Sequence, residues 1–163
     1  KDTVQISDTY FPKLMNSISS QLKKVHLEKE INRLNFFKNQ FSNQAIPVST
    51  SHGDYQDANI LSTRDGLKII DWESVSQRSV FYDQITLLAT TRSGWQKYKI
   101  SKAIEKLENK YSLTNTHVFN IYLLEELEYR LSYLPLYQKD KTSKLNEVTN
   151  LIQLLEQETL SEV

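Results

Sequence analysis

Three glycines and three prolines in 163 residues leave this chain few places to turn, a scarcity that favours long helices over a turn-rich β architecture. The spacing of apolar residues agrees. Phe11, Leu14, Met15, Ile18, Leu22 and Val25, followed by Ile31, Leu34, Phe37 and Phe41, predict two helices or one bent helix over roughly 10–43, with Pro12 tolerated in the first turn. Helical spacing returns in four later stretches: Val80 to Thr91, then Ile100, Ile104, Leu107 and Tyr111, then Leu124, Leu127, Leu131 and Leu134, and last Leu145, Val148, Ile152 and Leu155. Between the two sets, Val48 to Ser51, Ile60 to Thr63 and Leu67 to Asp71 are short runs with β-branched content. Arg64-Asp65-Gly66 reads as the tight turn that joins the last two into a hairpin preceded by a loop. The expected fold class is mainly α with a small β-hairpin, an α+β fold forming a single domain over 1–163.

Charge and composition exclude several kinds of partner. Lys plus Arg and Asp plus Glu each number 20, so the net charge is zero and there is no basic field to draw in nucleic acid or an anionic membrane. The absence of cysteine rules out disulfides and thiolate zinc sites and suits a reducing compartment. No apolar run approaches the roughly 20 residues that span a bilayer, and no signal-peptide pattern opens the chain. A cytoplasmic protein with no nucleic-acid or membrane partner is expected. The sequence begins at Lys1, without methionine and within polar text, as a piece of a longer protein would.

The chemistry is concentrated in Ser51-His52-Gly53-Asp54-Tyr55-Gln56-Asp57-Ala58-Asn59-Ile60-Leu61 and in Ile69-Ile70-Asp71-Trp72-Glu73. Protein kinases carry a catalytic loop of the form H-R-D-x-x-x-x-N and then an Asp at the end of the next hairpin, and His52, Asp54, Asn59 and Asp71 stand in that order, with that Asp-to-Asn spacing. Four fixed residues, before Asp71 is counted, would recur by chance on the order of once in a thousand sequences of this length, so the signal is specific. Phosphoryl transfer to a hydroxyl needs a carboxylate that orients the hydroxyl and accepts its proton, and Asp54 suits that task. It also needs Mg²⁺, which takes hard oxygen ligands and few protein groups. Asn59 and Asp71 can supply one amide oxygen and one carboxylate. Antiparallel pairing of 60–63 with 67–70 is expected to bring those two residues close together at the open end of the hairpin.

His-Gly-Asp at 52–54, Asn59-Ile60-Leu61, Ile-Asp-Trp-Glu at 70–73 and Phe81-Tyr82-Asp83 together resemble the aminoglycoside phosphotransferase and choline kinase family, which has a protein-kinase-like fold. The resemblance implies the carboxyl-terminal lobe of such an enzyme, with a catalytic loop over 52–59 and a metal-binding segment over 69–73. It implies ATP as phosphate donor, Mg²⁺ as cofactor and a small hydroxylated molecule as substrate. It further implies Asp54 as catalytic base, Asn59 and Asp71 as magnesium ligands, Asp83 as a structural prop for the loop, and Leu61 and Ile70 near the adenine and phosphates. By residue type alone, Leu61 and Ile70 are core-like strand residues. His52 is expected to hold the loop by hydrogen bonds rather than to shuttle protons. Glu73 is either an outer metal contact or a solvated carboxylate. Gln56 and Asp57 stand where the family often has Pro or Gly, which leaves the role of Asp57 open.

Nothing in the chain resembles a phosphate-covering Gly-rich loop, the strand Lys that grips the phosphates or its Glu partner, so the resemblance implies an amino-terminal lobe absent from this chain and a fragment inactive alone. The alternative is a non-catalytic kinase-like binding or scaffold domain. Glu125, Glu126 and Glu128 are read as a solvated helix face, with Glu126 and Arg130 an i,i+4 pair, rather than as an anionic substrate pocket. Trp95 and the nine Tyr are read as packing residues.

Overall fold

A computed structural model describes residues 5–41, 45–90, 104–107, 110, 115–137 and 140–160. They form a mixed architecture of helices and small antiparallel sheets: β1 (Gln5–Ser7), α1 (Tyr10–Lys24), α2 (Glu28–Phe41), β2 (Ile46–Ser51), β3 (Ile60–Thr63), β4 (Gly66–Ile69), β5 (Ser76–Ser79), α3 (Tyr82–Thr90), α4 (Asn115–Tyr133) and α5 (Lys141–Leu160). Short 3₁₀ turns cover Asp57–Asn59, Trp72–Ser74 and Leu134–Leu136. Among the described residues no helix is long and apolar enough to cross a membrane. Two compact units divide the chain: one is Lys1–Gln5 with Pro47–Tyr122, the other Ile6–Ile46 with Leu123–Val163.

The first unit carries the strands. β3 and β4 pair antiparallel with Ile60 opposite Ile69 and Thr63 opposite Gly66, the hairpin expected from the Arg64-Asp65-Gly66 turn. The returning strand ends at Ile69 rather than Asp71, because Asp71 turns left-handed at φ 66° and leaves the extended region. Residues 48–51, expected as a run before a loop, are part of a paired strand: β2 lies antiparallel to β5, with Val48 opposite Ser79 and Ser51 opposite Ser76, in a sheet ordered β1-β2-β5. Val48, Phe81, Tyr82, Ile85, Val118, Ile121 and Tyr122 make the buried core of this unit. Arg78 is also buried, its guanidinium 4.6 Å from the centre of the Tyr82 ring.

The second unit is helical. Phe11, Leu14, Met15, Ile18 and Leu22 of α1 are buried, with Leu34, Phe37 and Phe41 of α2 and the stripe Val148, Leu151, Ile152 and Leu155 of α5. Phe11 and Phe41 meet with ring centres 5.1 Å apart. The segment over 10–41 is two helices and not one bent one. His26 takes φ 61° just past α1, His26 N donates to Lys23 O and Leu27 N to Leu22 O, and this pair of bonds closes the helix end in a Schellman arrangement.

The glutamates on α4 depart from expectation. Glu125 is fully buried and Glu126 nearly so, while Glu128 accepts hydrogen bonds from Ser17 Oγ (2.8 Å) and Gln21 Nε2 (3.0 Å). Tyr10 Oη donates to Glu125. Glu125 and Glu128 therefore tie α4 to α1 rather than forming a wet face, and buried acids are kept by such donors. The expected i,i+4 pair is present, with Arg130 Nη2 2.7 Å from Glu126. Arg130 also reaches Glu147, and Arg33 links Glu30 to Glu156.

Candidate functional site

Residues 51–59, 70–74 and 83, all within the first unit, build one hydrogen-bonded cluster. The loop after β2 is held from below by Asp83 in the first turn of α3. Asp83 Oδ1 accepts from Ser51 Oγ (2.7 Å) and Gly53 N (3.1 Å), and Oδ2 accepts from His52 N (2.7 Å). Two backbone N–H groups and one hydroxyl, from three consecutive residues, converge on this carboxylate and fix the loop, and a helix amino terminus favours the negative charge.

Gly53 is required twice over. Its φ is 85°, and a Cβ built there would lie 2.3 Å from the carbonyl oxygen of Ser74. The loop backbone thus packs directly on the 3₁₀ turn that follows the hairpin. His52, 2% exposed, completes this link. Its Nδ1 accepts from Asp54 N (3.3 Å), so Nε2 carries the proton and donates it to Ile70 O (2.8 Å). With both nitrogens committed, the imidazole has no lone pair for a metal. Its ring lies against Trp72, centres 4.7 Å apart, and near Tyr55, 5.9 Å away.

Asp54 is partly exposed, and its carboxylate is surrounded by amide donors. Gln56 Nε2 lies 3.1 Å from Oδ1 and 2.9 Å from Oδ2, and Asn59 Nδ2 lies 3.1 Å from Oδ2. Asn59, 7% exposed, also donates from Nδ2 to the backbone oxygen of Asp54 (2.9 Å). Because the amide nitrogen of Asn59 is spent on Asp54, its oxygen is the atom left for other chemistry. The backbone of Asn59 is anchored on both sides, its N–H to Gln56 O (2.9 Å) and its carbonyl from Ile70 N (3.0 Å).

That last bond continues the β3–β4 register by one residue, so Asn59 stands opposite Ile70 and next to Asp71 at the open end of the hairpin. Asp71 is exposed, is held in the left-handed region and makes no capping side-chain bond to the turn it precedes. Among the described residues no group of three or more His, Cys, Asp or Glu could hold a metal by itself. The available donors, the Asp71 carboxylate and the Asn59 amide oxygen, are hard oxygens and few in number. That set suits Mg²⁺, which takes its remaining ligands from water and phosphate, and does not suit Zn²⁺.

The remaining expected positions divide. Asp57 is exposed at the start of its 3₁₀ turn, and Glu73 is exposed in the turn after Asp71. Leu61 and Ile70, core-like by type, are 44% and 40% exposed instead, since a two-stranded hairpin has no layer to bury them. The register puts Leu61, Lys68 and Ile70 on one face of the hairpin. Trp72, half exposed, is pinned by its indole N–H to Ile69 O (2.9 Å). Trp95 lies outside the described residues. Sequence reasoning passed over Ser74 and the side chain of Gln56. The only signal for Gln56 was an amide two residues beyond the candidate base. Compared with family models and with curated proteins, the sequence matches none.

Proposed function

We propose that this chain is the carboxyl-terminal lobe of a small-molecule kinase of protein-kinase-like fold, which transfers the γ-phosphate of ATP to a hydroxyl of a small substrate such as an aminoglycoside, an amino alcohol or a sugar. One observation carries the reading. The amide nitrogen of Asn59 clamps both the backbone and the carboxylate of Asp54, which leaves the Asn59 amide oxygen for a ligand, on a residue that stands opposite Ile70, the neighbour of Asp71, at the open end of the hairpin. A single residue thereby couples the candidate base to the candidate metal ligands.

In this reading Asp54 accepts a hydrogen bond from the substrate hydroxyl and then its proton, while Asn59 keeps the carboxylate oriented. His52 and Asp83 hold the loop backbone and take no part in proton transfer. Asn59 Oδ1 and the Asp71 carboxylate would hold magnesium, which when bound neutralises charge on the phosphate oxygens. Leu61 and Ile70 would offer the base of the nucleotide an apolar face. The phosphate-covering lobe comes from outside these 163 residues, so the fragment alone turns over little or no ATP. A cytoplasmic setting, where ATP and Mg²⁺ are plentiful and thiols are not needed, suits this activity.

The test is ADP release by the intact protein with Mg²⁺, ATP and a panel of hydroxylated small molecules. Asp54→Asn should lower kcat by about 10²-fold or more with only a modest change in the melting temperature. Undiminished turnover by Asp54→Asn would remove the base from the mechanism. Failure of the wild-type protein to bind Mg²⁺ and nucleotide would favour a scaffold role instead.

A further inference from the structure

We infer that Gln56 is a positioning residue that determines which oxygen of Asp54 receives the substrate proton; this rests on the phosphotransferase reading above. A carboxylate offers about four acceptor positions, two on each oxygen. Oδ2 accepts from both Gln56 Nε2 (2.9 Å) and Asn59 Nδ2 (3.1 Å), which fills it. Among the described residues Oδ1 accepts from Gln56 Nε2 alone (3.1 Å), which leaves one position open. A substrate hydroxyl therefore has a single place to dock on this carboxylate, and that place is on Oδ1.

Asn59 alone would not produce this asymmetry. With one donor, the carboxylate could turn about its Cβ–Cγ bond and exchange the two oxygens. The amide of Gln56 straddles both oxygens and opposes that rotation, at the cost of one acceptor position on each. The side chain of Gln56 is not needed to shape the turn, because its backbone carbonyl already accepts from Asn59 N (2.9 Å). The contact with Asp54 is what the side chain adds. It acts through Asp54 and does not itself touch the reacting atoms.

Two substitutions separate this role from a packing role. Gln56→Ala removes the donor, and Gln56→Glu keeps the length and shape but sets a carboxylate against a carboxylate. In the intact protein Gln56→Ala should lower kcat by about tenfold and Gln56→Glu by more, with the KM for Mg²⁺-ATP changed by less than about twofold. Because Gln56 works through Asp54, Asp54→Asn/Gln56→Ala should be no slower than Asp54→Asn alone, whereas an independent structural defect would multiply the losses. Melting of the 163-residue chain supplies a readout that needs no activity. Gln56→Glu should lower the melting temperature by about 2 °C or more, and Asp54→Asn/Gln56→Glu, in which the amide and the carboxylate exchange places, should recover most of that loss.

A Gln56→Glu enzyme with wild-type kcat, or multiplicative losses in the double variant, would overturn the positioning role and leave the kinase reading intact. An Asp54→Asn enzyme as active as wild type, or no transfer by the wild type, would overturn both. A melting cycle without recovery would show that the Gln56 contact does not form in solution, and would overturn the inference on that ground.

Discussion

Asp71 should be replaceable by glycine or by alanine without loss of stability, with alanine close to the wild type and glycine above it, and either change should remove nearly all activity. Its backbone is left-handed, at φ 66° and ψ 54°, and its side chain is exposed and makes no capping bond to the turn that follows. An L residue there bears a steric cost of about 1–2 kcal/mol. Alanine keeps that cost. Glycine removes it, and gives back about 0.5–1 kcal/mol because its unfolded chain is freer. The glycine variant should therefore exceed the alanine variant by up to about 1 kcal/mol, which for a chain of this size is a melting difference of about 2–4 °C. Both variants lose the carboxylate proposed as a metal ligand, and with it about 3 kcal/mol or more of transition-state stabilisation, a fall in kcat of about 10²-fold or more. Differential scanning fluorimetry on the 163-residue chain and ADP release by the intact protein read the two effects separately. Coincident melting of the two variants would refute the backbone argument. Wild-type kcat in either variant would refute the role given to the side chain.

Three further outcomes follow from named contacts. Gly53→Ala combines a left-handed backbone with a Cβ set 2.3 Å from Ser74 O, and should cost about 2–4 kcal/mol in urea unfolding. Asp83→Asn leaves at least one of the donors on Ser51, His52 and Gly53 without an acceptor, and should cost about 1–3 kcal/mol while lowering kcat through a loosened loop. Two surface glutamates in the helical unit should make folding acid-sensitive. Hydrogen bonds from Arg33 hold Glu156 below the ordinary carboxylate value of 4.5. Partial burial pushes Glu147 up, but Lys144 and Arg130 together outweigh it and leave this carboxyl also below 4.5. A carboxylate depressed in the folded state contributes stability above its unfolded pKa and loses it as pH falls through the folded value, so the loss should come below about pH 4.5. Glu156→Gln and Glu147→Gln should each flatten the acid side of a stability-against-pH curve measured by urea unfolding, and an unchanged slope would contradict the assignment.

How much could be read without coordinates depended on whether a signal was local. The β3–β4 hairpin was legible because Arg64-Asp65-Gly66 sits between β-branched runs, and hydrogen bonds join His52, Asp54 and Asn59, with Asp71 next in sequence to the Ile70 backbone that His52 and Asn59 both bind. β5 was not legible. Ser76-Gln77-Arg78-Ser79 has no apolar alternation, and it is a strand because β2 offers it backbone partners. Glu125 was misread for a related reason: beside two other glutamates it resembles a solvated face, and its donor, Tyr10, is far away along the chain. Leu61 and Ile70 carry core-type side chains, yet burial depends on a covering layer that residue type cannot report. The close approach of Gly53 to Ser74 and the reach of Gln56 to Asp54 are consequences of turn geometry, which spacing alone does not encode.

The central claim is that Asn59 and Asp71 hold a divalent cation beside Asp54. Nuclear magnetic resonance of the isotopically labelled chain, titrated with Mn²⁺ and ATP, tests it most directly, because a paramagnetic ion broadens only the amides near it. Broadening centred on 52–59 and 69–73, and lost in Asp71→Gly, is the predicted result. Broadening centred elsewhere, or unchanged in Asp71→Gly, would contradict the account.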